Sequence, residues 1–155
     1  MYDVIIIGAG VVGALIAREA SKYKLNVLVI DKENDVGNET SMANSAIVHS
    51  GYDPLPGSLK ARFNVAGNQM FDELAEQLDF HFGRVGSLTL AFSEEQIPVL
   101  LNLRKHARLN NVEVKLLTPE EVLAMEPNIN PDVKGALWAE SSGLVDPFNM
   151  TAHAM

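Results

Sequence analysis

Residues 4–13 read VIIIGAGVVG, an apolar run that leads into three glycines with the spacing G-x-G-x-x-G. The run predicts a buried strand over Tyr2–Ile7, and the helical spacing of apolar residues after it predicts a helix over Val11–Tyr23. A second apolar run predicts another strand over Val27–Ile30. Two strands joined by a helix of this length predict a right-handed βαβ unit, and therefore a parallel sheet with both faces covered.

The glycine turn, placed between a strand and a helix, predicts a dinucleotide site. Gly8 permits the tight turn, Gly10 lets the backbone approach a pyrophosphate, and Gly13 allows helix and strand to pack closely. The N-terminus of the helix supplies free N–H groups and positive potential to the phosphates. Asp31 at the end of the second strand would accept hydrogen bonds from an adenosine ribose. Its charge argues against the 2′-phosphate of NADP, although Lys32 beside it weakens this argument slightly, and we include Lys32 among the predicted cofactor contacts. Both FAD and NAD fit these features.

Composition favours one ordinary globular domain, since 155 residues of which 47% are hydrophobic can bury a real core. The net charge is −8 and the 12 lysines and arginines are scattered, which excludes a nucleic acid partner. The absence of cysteine excludes disulfides, zinc thiolates, iron–sulfur clusters and a cysteine-linked flavin within this chain, and it fits the cytoplasm. The most apolar stretch, Val4–Ala17, is shorter than the about 20 residues of a membrane span. We therefore expect no transmembrane segment, and we assign no metal ligands.

The rest of the chain changes character twice. From residue 35 to 50 it is rich in Gly, Asn, Ser and Thr, as irregular segments that carry sites often are. An amphipathic helix is then predicted over Leu59–Leu78. Beyond it the period changes in a way that predicts an inserted α+β layer, with strands over Ser87–Phe92, Val112–Leu117 and Lys134–Ala139 and a helix over Glu94–Leu109. Thr118-Pro119-Glu120-Glu121 predicts a capped helix to about Met125, and Asp146-Pro147 opens a last one.

Two further stretches decide between the cofactors. Residues 38–52 read NETSMANSAIVHSGY, and residues 56–62 read PGSLKAR. Together with the glycine motif and the late G-L-V-D-P at residues 143–147, they resemble the glycine oxidase and D-amino-acid oxidase superfamily of FAD enzymes over nearly the whole chain. Within it the sequence resembles two groups in particular, the FAD-dependent glycerol-3-phosphate dehydrogenases of anaerobic type and the L-2-hydroxyglutarate dehydrogenases or oxidases. The resemblance implies FAD as the cofactor.

The same resemblance implies further site residues. In the superfamily, the segment that matches residues 41–51 passes along the pyrophosphate, the ribityl chain and the flavin ring. This implies cofactor contacts from Ser41, Asn44, Ser45 and Gly51, and short hydroxyl and amide side chains can donate to phosphate and ribityl oxygens. It places His49 near the flavin ring, where it could orient the ring, accept the proton of a substrate hydroxyl or carry a covalent flavin bond. A packed histidine bonded to the backbone is the alternative.

The implied reaction transfers a hydride from the carbinol carbon of a small anionic alcohol to the flavin, while a base removes the hydroxyl proton. Glycerol 3-phosphate is slightly favoured as the substrate, and L-2-hydroxyglutarate or another 2-hydroxy acid is the alternative. The electron acceptor stays open. Tyr52 and Asp53 stand where many glycerol-3-phosphate dehydrogenases carry an arginine, which puts phosphate recognition at that position in doubt.

Members of the superfamily continue well beyond the length of this chain, so we expect an incomplete fold. The expected class is α/β, with a Rossmann-like FAD-binding βαβ part over residues 1–80 and 140–155. Residues 81–139 are expected to begin an inserted α+β substrate-domain layer. A missing C-terminal half or a partner would complete the fold. Two alternatives remain, a non-catalytic remnant that binds FAD or ADP loosely and an NAD-binding Rossmann module.

Overall fold

A computed structural model describes all residues Met1–Met155, and the chain packs as two compact units. The first unit contains Met1–Ile47, Asp72–Phe82 and Val145–Met155, and the second contains Val48–Phe71 and Gly83–Leu144. Residues 48–71 therefore pack with the α+β layer, whereas the sequence pattern places them in the FAD-binding part. Packing alone does not assign a function to a segment, so the functional boundaries stay a prediction.

The chain forms five helices and eight strands. The helices are α1 Val11–Ala20, α2 Leu59–Leu78, α3 Ile97–Leu109, α4 Pro119–Met125 and α5 Pro147–His153. The strands are β1 Val4–Ile7, β2 Val27–Ile30, β3 Ile47–Val48, β4 Phe82–Gly83, β5 Ser87–Ala91, β6 Lys115–Leu117, β7 Gly135–Ala139 and β8 Gly143–Val145. No helix combines the length and the hydrophobicity that crossing a bilayer requires.

In the first unit, β1 and β2 form the predicted parallel pair, with Val4 opposite Val27 and Ile7 opposite Ile30. Helix α1 contacts both strands and buries the face that carries Ile6. Successive side chains of a strand point to opposite faces, and on the other face Ile5 and Ile7 are 57% and 84% exposed. The expectation that both faces are covered is therefore wrong here, because α1 packs on one face and Ile5 and Ile7 stay exposed on the other.

The second unit contains the α+β arrangement that the change of period predicts. Its antiparallel sheet has the order β5-β7-β6, with Ser87 opposite Ala139 and Lys115 opposite Trp138. The buried Leu137 of β7 packs with Leu100 of α3, and its neighbour Ala136 packs with Val122 of α4. Adjacent strand residues face opposite ways, so α3 and α4 cover the two faces of this sheet.

Helix α4 begins with the capping box that the sequence predicts. The Thr118 hydroxyl accepts a hydrogen bond from the Glu121 N–H at 3.3 Å, and the Glu121 carboxylate accepts one from the Thr118 N–H at 2.8 Å. Two N–H groups that the helix itself leaves without partners are satisfied in this way.

We expect Thr118→Ala to lower the free energy of unfolding by about 1 kcal/mol, because the alanine leaves the Glu121 N–H without its acceptor. Thr118→Ser keeps the hydroxyl and serves as the control, with an expected change of only about 0.3 kcal/mol. Urea unfolding followed by circular dichroism measures both variants. Equal stability of the alanine and serine variants would show that the box contributes nothing.

Candidate dinucleotide site

A cleft of about 560 Å³ opens at the carboxyl ends of β1 and β2, within the first unit. Half of the ten predicted site residues line it, namely Gly8, Gly10, Asp31, Lys32 and Ser41. The other lining residues are Ile7, Ile30, Glu33, Asn38, Glu39 and Thr40. The cleft thus lies where ligands bind in open α/β sheets, beyond the carboxyl ends of the parallel strands.

The three glycines of the motif meet different steric requirements. Gly8 has a φ of 107°, a backbone conformation that residues other than glycine rarely adopt. The space that a Cβ on Gly8 would occupy is open. A Cβ on Gly10 would lie 3.0 Å from the Ser41 hydroxyl oxygen. A Cβ on Gly13 would lie 1.9 Å from the Gly8 carbonyl oxygen, so helix and turn can approach this closely only without a side chain.

Asp31 joins the end of β2 to the glycine turn. Its Oδ2 accepts a hydrogen bond from the Ala9 N–H at 2.5 Å, and its Oδ1 accepts one from the Glu33 N–H at 2.8 Å. These two bonds, the one from Ala9 above all, lower the pKa of the Asp31 carboxyl below its ordinary value, because N–H donors stabilise the charged form. Asp31, the predicted ribose acceptor, thus also stabilises the glycine turn. Each carboxylate oxygen can still accept a further hydrogen bond from a ribose hydroxyl.

This double role gives Asp31→Asn a pH-dependent effect on stability. A carboxyl whose pKa is lowered by folding stabilises the folded state above its unfolded-state pKa, and that contribution is lost as the pH falls through the lower folded-state value. We therefore expect the wild type to be more stable than Asp31→Asn at pH 7, and the difference to shrink as the pH falls below 3.8. Urea titrations between pH 2 and pH 7 measure it, and a difference that is constant over this range would contradict the assigned bonds.

Ser41 supports the start of α1 from a distant part of the chain. Gly10 precedes the helix and has no side chain to cap it, and the Ser41 Oγ instead accepts a hydrogen bond from the Val11 N–H at 2.9 Å. The hydroxyl hydrogen of Ser41 stays available for donation. The serine thus lies at the helix N-terminus, where a phosphate oxygen would be received.

Lys32 is engaged by carboxylates of the first unit. Its ammonium group lies 2.5 Å from the Glu39 carboxylate and 3.5 Å from that of Glu33. The hydrogen bond to Glu39 is the main reason that the pKa of Lys32 is raised. The predicted contact between Lys32 and the cofactor stays a prediction, and the lysine would have to make it while paired.

Gly37 and Thr151, which the sequence did not indicate as site residues, support the glycine turn on the side away from the cleft. The Gly37 N–H donates to the Ala9 carbonyl oxygen at 2.9 Å, and Gly37 has a φ of 76°. Thr151 of α5 is 1% exposed and packs so closely that a Cβ on Gly37 would lie 3.2 Å from its methyl group. Only the turn-forming character of Gly37 is visible in the sequence, because the contact with Thr151 depends on the packing of α5.

The remaining predicted residues do not line the cleft. Asn44 is exposed, and its amide donates to the carbonyl oxygens of Thr40 and Ser41 at 3.1 and 3.0 Å while its Oδ1 accepts from the Ala46 N–H. Both amide hydrogens therefore shape the loop, which includes a positive φ of 60° at Ala46. Ser45 is exposed.

His49 and Gly51 belong to the second unit. His49 is exposed, so the alternative of a packed histidine is not what the structure has. Gly51 is buried with a φ of 93°, and a Cβ there would lie 2.7 Å from a methyl group of Val65. Contacts of Ser45, His49 and Gly51 with a cofactor stay predictions.

The groups of the cleft fit the adenosine diphosphate half of a dinucleotide. The open space at Gly8, the N-terminus of α1 and the Ser41 hydroxyl suit a pyrophosphate, and Asp31 suits a ribose. The family model for FAD-dependent oxidoreductases matches residues 3–155, and the chain belongs to that family. The predicted superfamily and the predicted FAD cofactor are thereby confirmed, as is the α/β class.

Two relatives show which enzymes of the family the chain is similar to. The chain is 53% identical over 152 residues to a glycerol 3-phosphate dehydrogenase of Caloramator mitchellensis, an alignment that covers 97% of this chain and 32% of the relative. It is 33% identical over 150 residues to the mitochondrial L-2-hydroxyglutarate dehydrogenase of Dictyostelium discoideum, covering 94% of this chain and 33% of that protein. These are the two groups that the sequence motifs resemble.

A solved structure has the same fold. The dithionite-reduced L-alpha-glycerophosphate oxidase of Mycoplasma pneumoniae with FAD bound superposes with a TM-score of 0.92 at 33% identity, covering 99% of this chain and 41% of the oxidase. The chain thus spans between about a third and two fifths of the length of the proteins it matches.

Proposed function

We propose that this chain is the FAD-binding portion of a flavin-dependent dehydrogenase or oxidase that oxidises a small anionic alcohol, with glycerol 3-phosphate as the substrate. The observation that carries FAD binding is the cleft in which Gly8, Asp31 and Ser41 come together. The choice of substrate is supported by the 53% identity to a glycerol 3-phosphate dehydrogenase over nearly the whole chain.

In this proposal the residues of the first unit hold the adenosine diphosphate half of FAD. The N–H groups at the start of α1 and the backbone at Gly10 receive the pyrophosphate, and the Ser41 hydroxyl donates to a phosphate oxygen. The Asp31 carboxylate accepts hydrogen bonds from the ribose hydroxyls. Asn44, Ser45 and Gly51 follow along the ribityl chain and the ring.

His49 takes the proton in the proposed reaction. FAD, when bound, supplies the oxidising power by accepting the hydride of the carbinol carbon. A ring nitrogen of His49 accepts the proton of the substrate hydroxyl, a role that requires an accessible imidazole near neutral pH. The side chain of His49 is exposed, so the imidazole is accessible as this role requires.

A second substrate class, the 2-hydroxy acids, is favoured by two observations. The 33% identity to an L-2-hydroxyglutarate dehydrogenase extends over 94% of the chain. Tyr52 and Asp53 also replace the arginine that many glycerol-3-phosphate dehydrogenases carry, which suits a substrate without a phosphate.

The cytoplasmic location and the completion of the fold by further chain or a partner stay predictions.

The visible spectrum of the purified protein tests FAD binding, and anaerobic addition of each alcohol tests the substrate without any assumption about the electron acceptor. We expect a yellow protein whose flavin absorbance is bleached by glycerol 3-phosphate. Bleaching by L-2-hydroxyglutarate alone would establish the second substrate class. A colourless protein that takes up no added FAD would contradict the proposal, and binding of NAD in calorimetry would point to a nicotinamide cofactor instead.

A further inference from the structure

The segment that carries His49 is held by two asparagine side chains. We refer to residues 49–54 as the His49 loop. The Asn68 amide on α2 donates to the His49 carbonyl oxygen at 3.1 Å and to the Ser141 carbonyl oxygen at 2.9 Å. The Asn110 amide after α3 donates to the carbonyl oxygens of Gly51 and Pro54, both at 3.0 Å. The main chain is therefore fixed at His49 itself and on its C-terminal side.

Asn68 can adopt only one orientation of its amide group. It is 6% exposed, and its Oδ1 accepts a hydrogen bond from the Arg84 guanidinium at 3.1 Å. The same guanidinium donates to the Ser141 carbonyl oxygen at 2.6 Å and to the Asn68 carbonyl oxygen at 3.0 Å. A flipped amide would set an oxygen against two carbonyl oxygens and an NH₂ group against a cation, so the bonding pattern excludes it.

The rest of the loop has little freedom either. Ser50 is 2% exposed, and the left-handed conformation of Gly51 is packed against Val65. The hydroxyl groups of Tyr52 and Thr89 are hydrogen-bonded at 2.7 Å, which ties the loop to β5. The exposed imidazole of His49 thus projects from a backbone whose neighbours are buried and bonded.

We propose that Asn68 is a positioning residue for His49. By fixing the His49 carbonyl group, its amide sets the direction in which the Cα–Cβ bond of His49 leaves the backbone, and with it the place of the ring nitrogen. The inference rests on the proposed role of His49 as the proton acceptor. Misplacement of a reacting group by about 1 Å can lower a rate on the order of 100-fold.

Hydrogen exchange of the full chain gives a test that needs no cofactor. We expect Asn68→Ala to speed exchange of the backbone amides of the His49 loop by about tenfold, because the loop then opens locally, and to leave β5 and β7 unchanged. Asn102→Ala is the matched control, since Asn102 is an exposed asparagine on α3 of the same unit. Exchange in the loop of Asn68→Ala that equals that of Asn102→Ala would overturn the inference.

A kinetic split separates positioning from a loss of stability. In the FAD-loaded protein we expect Asn68→Ala to lower the rate constant of flavin reduction about 10- to 100-fold, with FAD content and half-saturating substrate concentration within about threefold of wild type. Asn68→Ser retains one donor and should recover part of the rate, and it replaces the alanine variant if that variant fails to fold. A rate constant for loaded protein within about twofold of wild type would overturn the inference. Failure of the protein to bind FAD or to oxidise an alcohol would refute the proposed function, and the exchange result would still decide whether Asn68 holds the loop.

Discussion

Gly13→Ala is expected to remove the dinucleotide site. The added methyl group would lie 1.9 Å from the carbonyl oxygen and 3.0 Å from the carbonyl carbon of Gly8, and both are backbone atoms that no change of rotamer can move. Helix α1 must therefore shift away from the turn, which opens the buried contact with Ile6 and separates the helix N-terminus from the cleft. We expect the free energy of unfolding to fall by about 3 kcal/mol and the affinity for FAD to fall by about 100-fold or more.

Gly67→Ala is a matched control for this substitution. Gly67 also lies inside a helix, α2, but apart from its two chain neighbours and the nearby backbone of that helix, no atom lies within 4 Å of the position that its Cβ would take. Alanine in a helix interior is favoured over glycine, so this control should raise the free energy of unfolding by about 0.5 to 1 kcal/mol. Urea unfolding and FAD titration by fluorescence measure both variants. A Gly13→Ala protein as stable as wild type, with intact FAD binding, would show that the close approach is not required.

His49→Asn is expected to lower the rate of flavin reduction by about 10²- to 10⁴-fold, the usual contribution of a general base, while FAD stays bound. Asparagine cannot take up the substrate proton near neutral pH, and the backbone bond from Asn68 does not involve the replaced side chain. Anaerobic stopped-flow absorbance gives the rate constant at saturating substrate.

His81→Asn provides the control for His49→Asn, because His81 is exposed and accepts a hydrogen bond from the Asp146 N–H through its main-chain oxygen, which the substitution keeps. Its rate constant should match that of the wild type. If His49→Asn reduces its flavin at the wild-type rate, His49 is not the base. If the wild type retains flavin after acid precipitation and His49→Asn does not, the histidine carries a covalent linkage.

The helices and strands with a clear apolar pattern, and the glycine motif, were predictable because their sequence signals lie within a few neighbouring residues. Strand β2 and helix α2 have the bounds that the apolar spacing predicts, and the α4 capping box is legible from four consecutive residues. The Ser41 hydroxyl meets the backbone N–H of Val11, which lies 30 residues away in the sequence. Ser41 was identified as a site residue through the resemblance to a superfamily, whereas Asp31 followed from the spacing of the glycine motif. Composition and periodicity alone contain no information on that contact.

The features that the sequence did not predict have several causes, some local and some tertiary. Strands β4 and β8 have two and three residues, too few to show a period. Helix α1 ends at Ala20, three residues earlier than the apolar spacing suggests. Directly after its end, the Ser21 hydroxyl donates a hydrogen bond to the Arg18 carbonyl oxygen of the last turn. The pairing of Lys32 with Glu39 depends on the 3₁₀ turn at Glu39–Ser41, and that of Asn68 with His49 depends on where α2 lies.

The pairing of Lys32 also affects how fast an anionic cofactor would reach the cleft. Lys32 is the one cation among the lining residues, and it stands beside the carboxylates of Glu33 and Glu39 as well as that of Asp31. Attraction for the pyrophosphate is therefore left to neutral N–H dipoles, whose field fades within the first turn of α1. Because the chain carries a net charge of −8, we expect long-range repulsion to slow the diffusional encounter and added salt to accelerate it by screening that repulsion.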